Sequence, residues 1–262
     1  MIEFTADDGV KLAAGVYGPR EGEALLLLHS LGCDHHMWAP QIEALAPTMH
    51  ILALDTRGHG GSAAPHGDYT LELLARDALA LLDALGVARA HVCGLSLGGV
   101  IAQFLAIHAP ARVGRLVLAN TASRIGSAEA WRDRAATVLE RGMAAIADTT
   151  MARFFSPGFH AAHPDMVAKF RAGLLATDAH GYAACCAALR DADQTADLPR
   201  IAAPTLVIGG TTDPSTPPDQ ARALAAAIPG ARLSLFDCAH LSNIEQPDAF
   251  TAALRFHLEG AK

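Results

Sequence analysis

Aromatic residues are scarce in this sequence, 5% of 262 positions, and charged residues reach only 18%. So little charge beside 51% hydrophobic content excludes a disordered chain, which would be poorer in apolar residues and richer in charge. Lysine and arginine form no block, and 20 basic residues against 27 acidic ones leave a formal charge of −7. There is therefore no electrostatic footprint for nucleic acid, and an anionic membrane surface would repel the chain. Apolar runs are short, Leu25 to Leu28 being typical, and none approaches the roughly 20 residues that cross a bilayer. The first nine residues, Met1 to Gly9, carry neither a basic region nor a long apolar core and read as a strand, not a signal peptide. Five cysteines cannot all pair, show no CxxC spacing and include the adjacent Cys185 and Cys186, which excludes a disulfide framework and predicts free thiols in a reducing cytoplasm. Metal signatures are lacking too. There is no HExxH and no Cys/His cluster, and His35-His36 reads as solvent-facing, so neither metal nor cofactor is expected. Oligomeric state does not follow from the sequence.

What is present is an alternation of short β-rich runs with longer helical patterns, the mark of a mostly parallel sheet flanked by helices, an α/β fold. The expected strands are Ile2 to Thr5, Lys11 to Tyr17, Ala24 to His29, His50 to Asp55, Ala90 to Leu95, Val113 to Asn120, Thr205 to Gly210 and Arg232 to Asp237. Leu25-Leu26-Leu27-Leu28 and Leu206-Val207-Ile208 do not alternate, as expected of strands covered on both faces. Leu71, Leu74, Ala75, Ala78, Leu81, Leu82 and Leu85 recur at helical spacing, with Gly86 as the stop. From Ser123 to Asp197 no run of strand length occurs, and Gly and Pro separate several helices. Residues 1–122 and 198–262 are thus expected to form one core, interrupted after the sixth strand by an all-helical cap at 123–197.

Gly94-Leu95-Ser96-Leu97-Gly98 lies between an expected strand and an expected helix over Leu97 to His108. A serine on so tight a strand-to-helix turn is held in strained backbone above the sheet edge, and the flanking glycines remove Cβ atoms that would collide. Ser96 is the candidate nucleophile. A serine hydroxyl needs a general base, and the base an orienting acid, which in such a fold come later in the chain after successive strands. Asp213 follows Thr205 to Gly210, whereas Asn120-Thr121-Ala122-Ser123 offers no carboxylate, Asp237 is still close to its strand, and Asp219 falls in a helix. Of 13 histidines, His240 alone sits in a loop just after the last strand. Backbone N–H groups of Leu97, the residue after the serine, and Leu31, in the loop after Ala24 to His29, are the candidate oxyanion donors. Asp55-Thr56-Arg57-Gly58-His59-Gly60-Gly61-Ser62 lacks the Gly-Lys-Ser/Thr ending of a phosphate loop and reads as a structural turn in which Asp55 and Arg57 bond neighbouring loops.

These motifs resemble the α/β-hydrolase family over the whole chain, on His29-Ser30-Leu31-Gly32, Asp55-Thr56-Arg57-Gly58-His59-Gly60, the serine turn, and Ile201-Ala202-Ala203-Pro204-Thr205 leading to Asp213. Within it, Ala130-Trp131-Arg132, Tyr182 to Leu189 and Ala239 to Pro247 are similar to the 3-oxoadipate enol-lactonases. The resemblance implies cofactor-free hydrolysis of a small lactone by Ser96, Asp213 and His240 in aromatic-compound catabolism. Other serine hydrolases on this scaffold, carboxylesterases, carbon–carbon bond hydrolases and perhydrolases, would use the same triad, and a non-catalytic binding member would keep the pocket alone. The lactone implied carries a carboxylate, which asks for a cation. On a helix over Glu129 to Arg141 the apolar stripe is expected at Trp131, Ala135, Val138 and Leu139, with Arg132 at its edge. Trp131 and Arg132 are therefore the candidate substrate-binding residues.

Overall fold

The computed structural model describes residues 1–260, so the last two positions of the expected 198–262 segment lie outside the described residues. An eight-stranded sheet runs in the order β1-β2-β4-β3-β5-β6-β7-β8, where β1 is Ile2–Thr5, β2 Lys11–Tyr17, β3 Glu23–Leu28, β4 Met49–Leu54, β5 Ala90–Leu95, β6 Val113–Ala119, β7 Thr205–Gly210 and β8 Arg232–Phe236. The β1–β2 and β2–β4 pairs are antiparallel, and every pair from β4 through β3 to β8 is parallel. Leu25 to Leu28 and Ile51 to Leu54 are buried, as non-alternating central strands require.

Four strands end one residue earlier than their β-propensity predicts. His29, Asp55, Asn120 and Asp237 leave the ladder at the C-terminal edge of the sheet and turn to loop contacts instead. His29 Nε2 accepts the Thr56 N–H at 2.9 Å, Asp55 accepts the His35 N–H at 2.8 Å, and Asn120 takes a left-handed conformation at φ 43°. The edge where strands stop is the edge where polar residues gather.

Helices α1 (Ala39–Leu45), α2 (Leu71–Ala84), α3 (Leu97–His108), α9 (Pro218–Ala227), α10 (Ser242–Glu245) and α11 (Pro247–Glu259) accompany the sheet. The Thr70 hydroxyl caps α2, and Gly86 at φ 69° follows its end. Between β6 and β7 the chain is helical: α4 (Ala128–Arg141), α5 (Ala144–Phe154), α6 (Pro157–Ala162), α7 (Pro164–Ala176) and α8 (Ala179–Asp191). The α4 stripe is rotated from the one expected. Val138 is fully buried and Trp131 and Ala135 partly so, but Leu139 is 50% exposed, and Arg134 turns inward to donate to Tyr182 Oη and Thr150 Oγ1, both at 2.7 Å. The helical segment is fastened to the core by backbone. Gly58, at φ 81°, lies so close to Gly181 of α8 that a Cβ there would sit 2.5 Å from the Gly181 Cα. Tyr69 N–H donates to Ala184 O at 3.2 Å, and Leu241 N–H to Phe154 O at 3.0 Å. Among the described residues no helix is long and apolar enough to cross a membrane.

Candidate active site

Ser96 occupies the turn between β5 and α3 with φ 57° and ψ −115°, a region that costs a non-glycine residue about 1–3 kcal/mol. Its surroundings hold it there. Ser96 N–H donates to Ala119 O at 3.0 Å, and Ser96 O accepts from Thr121 Oγ1 at 2.9 Å and from Val100 N–H at 3.0 Å. A Cβ at Gly94 would strike the Gly98 carbonyl, and one at Gly98 would strike the Leu28 carbonyl, so the two flanking glycines permit the close crossing that the turn needs.

Asp213 and His240 follow β7 and β8 and meet at the sheet edge. His240 Nδ1 lies 2.8 Å from Asp213 Oδ2, and both side chains are buried. A carboxylate can only accept, so Nδ1 carries the proton and Nε2 is the free basic nitrogen. Asp213 Oδ2 also accepts from Thr216 Oγ1 at 2.7 Å and Asn120 Nδ2 at 3.0 Å, while Oδ1 accepts from Ser215 N–H at 2.8 Å and Thr216 N–H at 3.1 Å. Burial pushes the Asp213 carboxyl upward, but the charge and hydrogen bond of His240, joined by Asn120 and Thr216, outweigh it and hold the group below the ordinary carboxylate range. Asn120 Nδ2 also donates to Ala239 O at 3.2 Å, and Asn120 Oδ1 accepts from Ser242 Oγ, so this one side chain ties the acid to both flanks of His240. The Phe154 ring, from α5, stacks on the imidazole at 6.1 Å. Ser96 makes no hydrogen bond to His240 among the described residues, a looseness common in resting sites that tighten only around substrate.

Leu31 and Leu97 are both buried. As the first residue of α3, Leu97 has an N–H without an intrahelical acceptor, and the Leu31 N–H has no acceptor among the described residues. Two buried histidines, one through its ring and one through its carbonyl, shape the loop that carries Leu31. Gly32 N–H donates to His59 Nε2 at 3.0 Å, and Gly98 N–H donates to His29 O at 3.1 Å, which fixes this loop against the serine turn. Burial, with some help from His29, pushes His59 down to about 3, so it remains the neutral acceptor that Gly32 requires.

The expected structural turn at Asp55 to Ser62 is observed. Buried Arg57 donates through Nε to Asp77 at 2.6 Å and through a terminal nitrogen to Asp8 at 2.9 Å, and Asp55 accepts from Gly61 N–H at 2.9 Å. The reading of His35-His36 as solvent-facing is corrected for one of the two. His36 is exposed, but His35 is 3% exposed because its Nδ1 is drawn to Asp55 Oδ1 at 2.8 Å. With Asp34 they form the one group among the described residues whose ligand atoms lie close enough to hold a metal ion.

A cavity of about 540 Å³ opens between this loop and α7, bounded by Gly32, His35, Met37, Asp55, Lys169 and Phe170 among others. Neither Ser96 nor His240 is among the residues that line it. Trp131 and Arg132, the candidate substrate-binding residues, lie together on α4 beside a recess of their own. Trp131 Nε1 donates to Ile125 O at 2.6 Å, and exposed Arg132 borders a 140 Å³ recess with Asp68, His180 and Arg190, which no member of the Ser96, Asp213 and His240 set lines. The rotation of α4 brings Arg134 inward and leaves Arg132 outside. Sequence reasoning did not single out Asn120, Thr216, Ser242, His59 or Phe154. Asn120 had a signal in its place at the end of a strand next to Asp213's, where only a carboxylate was sought.

The sequence pattern of a family described as alpha/beta hydrolase fold matches residues 23–247. The chain is 42% identical over 251 residues to 3-oxoadipate enol-lactonase 2 of Acinetobacter baylyi, covering 96% of this chain and 94% of the relative. It is 38% identical to 3-oxoadipate enol-lactonase 1 of the same organism, covering 95% and 93%. The crystal structure of the enol-lactonase from Burkholderia xenovorans LB400 superposes with a TM-score of 0.97 at 42% identity, covering 99% of this chain and all of that one. With the serine turn, the late acid and histidine and the parallel sheet already in place, these likenesses settle the kinship: the chain belongs to the α/β-hydrolase family.

Proposed function

We propose that this protein hydrolyses 3-oxoadipate enol-lactone to 3-oxoadipate in the β-ketoadipate route of aromatic catabolism, using Ser96 as nucleophile, His240 as base and Asp213 as its orienting acid. The observation that carries this reading is the extent of the likeness to enol-lactonases: it runs through 96% of the chain and therefore includes the helical segment, where related hydrolases differ in substrate choice.

The Ser96 hydroxyl gives its proton to His240 Nε2 as Oγ attacks the lactone carbonyl. The oxyanion takes hydrogen bonds from the Leu31 and Leu97 N–H groups, each donor contributing about 2.7–4 kcal/mol of transition-state stabilisation. Collapse breaks the ring C–O bond, and His240 returns the proton to the departing enol oxygen, which remains tethered within the acyl-enzyme. Water then loses a proton to His240 and attacks the acyl carbon, and Ser96 leaves as the alcohol. Asp213 stays ionised throughout and stabilises the transient imidazolium. The released enol tautomerises to the ketone without a further residue.

The test compares kcat/KM for the enol-lactone, a p-nitrophenyl ester and a vinylogous diketone in the wild type and in Ser96→Ala. The enol-lactone is expected to lead by at least tenfold, with all activity lost in the variant. A higher value for the ester would make the protein a general carboxylesterase, and one for the diketone a carbon–carbon bond hydrolase.

A further inference from the structure

We propose that Asp34, His35 and His36 form a binding site for one late first-row divalent ion, Zn²⁺ or Ni²⁺, on the wall of the 540 Å³ cavity and separate from the Ser96 machinery. One ligand atom from each lies within 4.8 Å of the other two, and two imidazoles with one carboxylate are donors that suit these ions. His35 and His36 stand side by side, ring centroids 3.9 Å apart.

The strongest element is His35. Its side chain is nearly fully buried, yet Nε2 has no hydrogen-bond partner among the described residues, and the residue lines the cavity. Its other nitrogen is committed to Asp55 Oδ1 at 2.8 Å, and Asp55 is itself fixed by the His35 N–H at 2.8 Å and the Gly61 N–H at 2.9 Å. A carboxylate behind one ring nitrogen is the arrangement that orients a metal-ligating histidine and raises the basicity of the other nitrogen. Asp34 is fixed as well. Its Oδ1 accepts the His36 N–H at 2.8 Å as the cap of the short turn His35–Trp38, while Oδ2 has no partner among the described residues.

The cost of occupancy is small. The exposed contact between His36 Nδ1 and Asp34 Oδ1, at 3.0 Å, is the one hydrogen bond in the cluster that yields to an ion if His36 binds through Nδ1. The carboxylates of Asp34 and Asp55 offset the ion's charge, and the cavity has room for the waters that complete its coordination. Lys169 reaches the same cavity from α7 and is exposed, so solvent screens its repulsion. An ion here would clip the loop directly after Leu31.

The experiment is calorimetric titration of ZnCl₂, and separately NiCl₂, into untagged full-length protein stripped with EDTA. One equivalent should bind. His36→Ala and Asp34→Asn, both at exposed or half-exposed positions, should weaken binding at least tenfold while circular dichroism remains native. Ser96→Ala should bind as the wild type does. Zn²⁺ at a fixed concentration that saturates the wild type should raise its melting temperature, and should raise that of His36→Ala by less. Absence of saturable binding would overturn the proposal. So would binding that persists undiminished in both variants, which would place the ion on other histidines such as His66 and His180.

Discussion

The Asp213 corner and the Arg132 corner both hold a charged side chain proposed to serve the same chemistry, and the protein treats them in opposite ways. Asp213 is buried and accepts from five groups: Ser215 and Thr216 N–H, Thr216 Oγ1, Asn120 Nδ2 and His240 Nδ1. Arg132 is exposed and makes no hydrogen bond among the described residues. The difference teaches where preorganisation resides. At the sheet edge, strand register and tight loops fix each donor before substrate arrives. On α4, a side chain's direction depends on how one helix rolls against another, and Arg132 and Arg134, two positions apart, point to nearly opposite sides of the helix.

The sharpest way to break this comparison is to remove chemistry at the rigid corner. Ser96→Ala should lower kcat by about 10⁶ with the fold intact, and adding a His240 substitution should cost little more, because triad members act as a unit. Single-turnover kinetics with circular dichroism would check it, and independent multiplicative losses would refute a shared mechanism. Asp213→Asn should cost about 10⁴ in kcat by favouring the wrong imidazole tautomer. Asn120→Ala should lower kcat more than it alters KM, by roughly the 1–3 kcal/mol of a buried group left unsatisfied. Replacement by a residue that restores a donor should recover part of the loss, which a merely structural role would not explain.

Smaller effects sharpen the contrast from the stability side. Gly181→Val should destabilise by about 1–3 kcal/mol, since a side chain there meets Gly58 backbone. Chemical denaturation would read this as a lower midpoint. His59 gives a pH signature. Its folded value near 3 lies below the ordinary histidine value of about 6.5, so between those limits the unfolded chain binds a proton that the folded one does not. The stability that this group contributes is present in full above pH ~6.5 and is lost as pH falls toward ~3. His35, raised by Asp55 against its burial, acts in the opposite sense. The acid-side fall in melting temperature should therefore flatten in His59→Gln. Last, Arg132→Ala should change kcat/KM for the lactone acid less than threefold, since the side chain is exposed and makes no hydrogen bond among the described residues. A large loss confined to the acid, absent with its methyl ester, would return Arg132 to the substrate.

The parallel core could be read from the sequence because burial on both faces leaves runs such as Leu25 to Leu28, and because the serine turn demands glycines at fixed offsets. Asp213 and His240 were legible from chain order, the acid in the loop after β7 and the histidine in the loop after β8, and the structure brings them within hydrogen-bond distance. Leu139 was expected in the buried stripe of α4 and is exposed, because periodicity fixes a stripe's spacing but does not say which face a neighbouring helix covers. Asn120 and His59 escaped notice because uncharged hydrogen-bonding roles leave no spacing signature. The Asp34, His35 and His36 cluster escaped because His35 is turned inward by Asp55, twenty residues away in sequence.

The placement of the helical segment between β6 and β7 also sets a timetable for synthesis. β6 pairs with β7 in the finished sheet, but about 85 residues separate them, which at ~5–20 residues per second is roughly 4–17 s of translation. During that interval the apolar strand Val113–Ala119 is an open edge of a parallel sheet, the kind of template that recruits other chains. A nascent chain arrested in the helical segment is therefore expected to aggregate sooner than one arrested after β8, and early folding of α4 to α8 above that edge would act as the shield that the missing strand cannot yet supply.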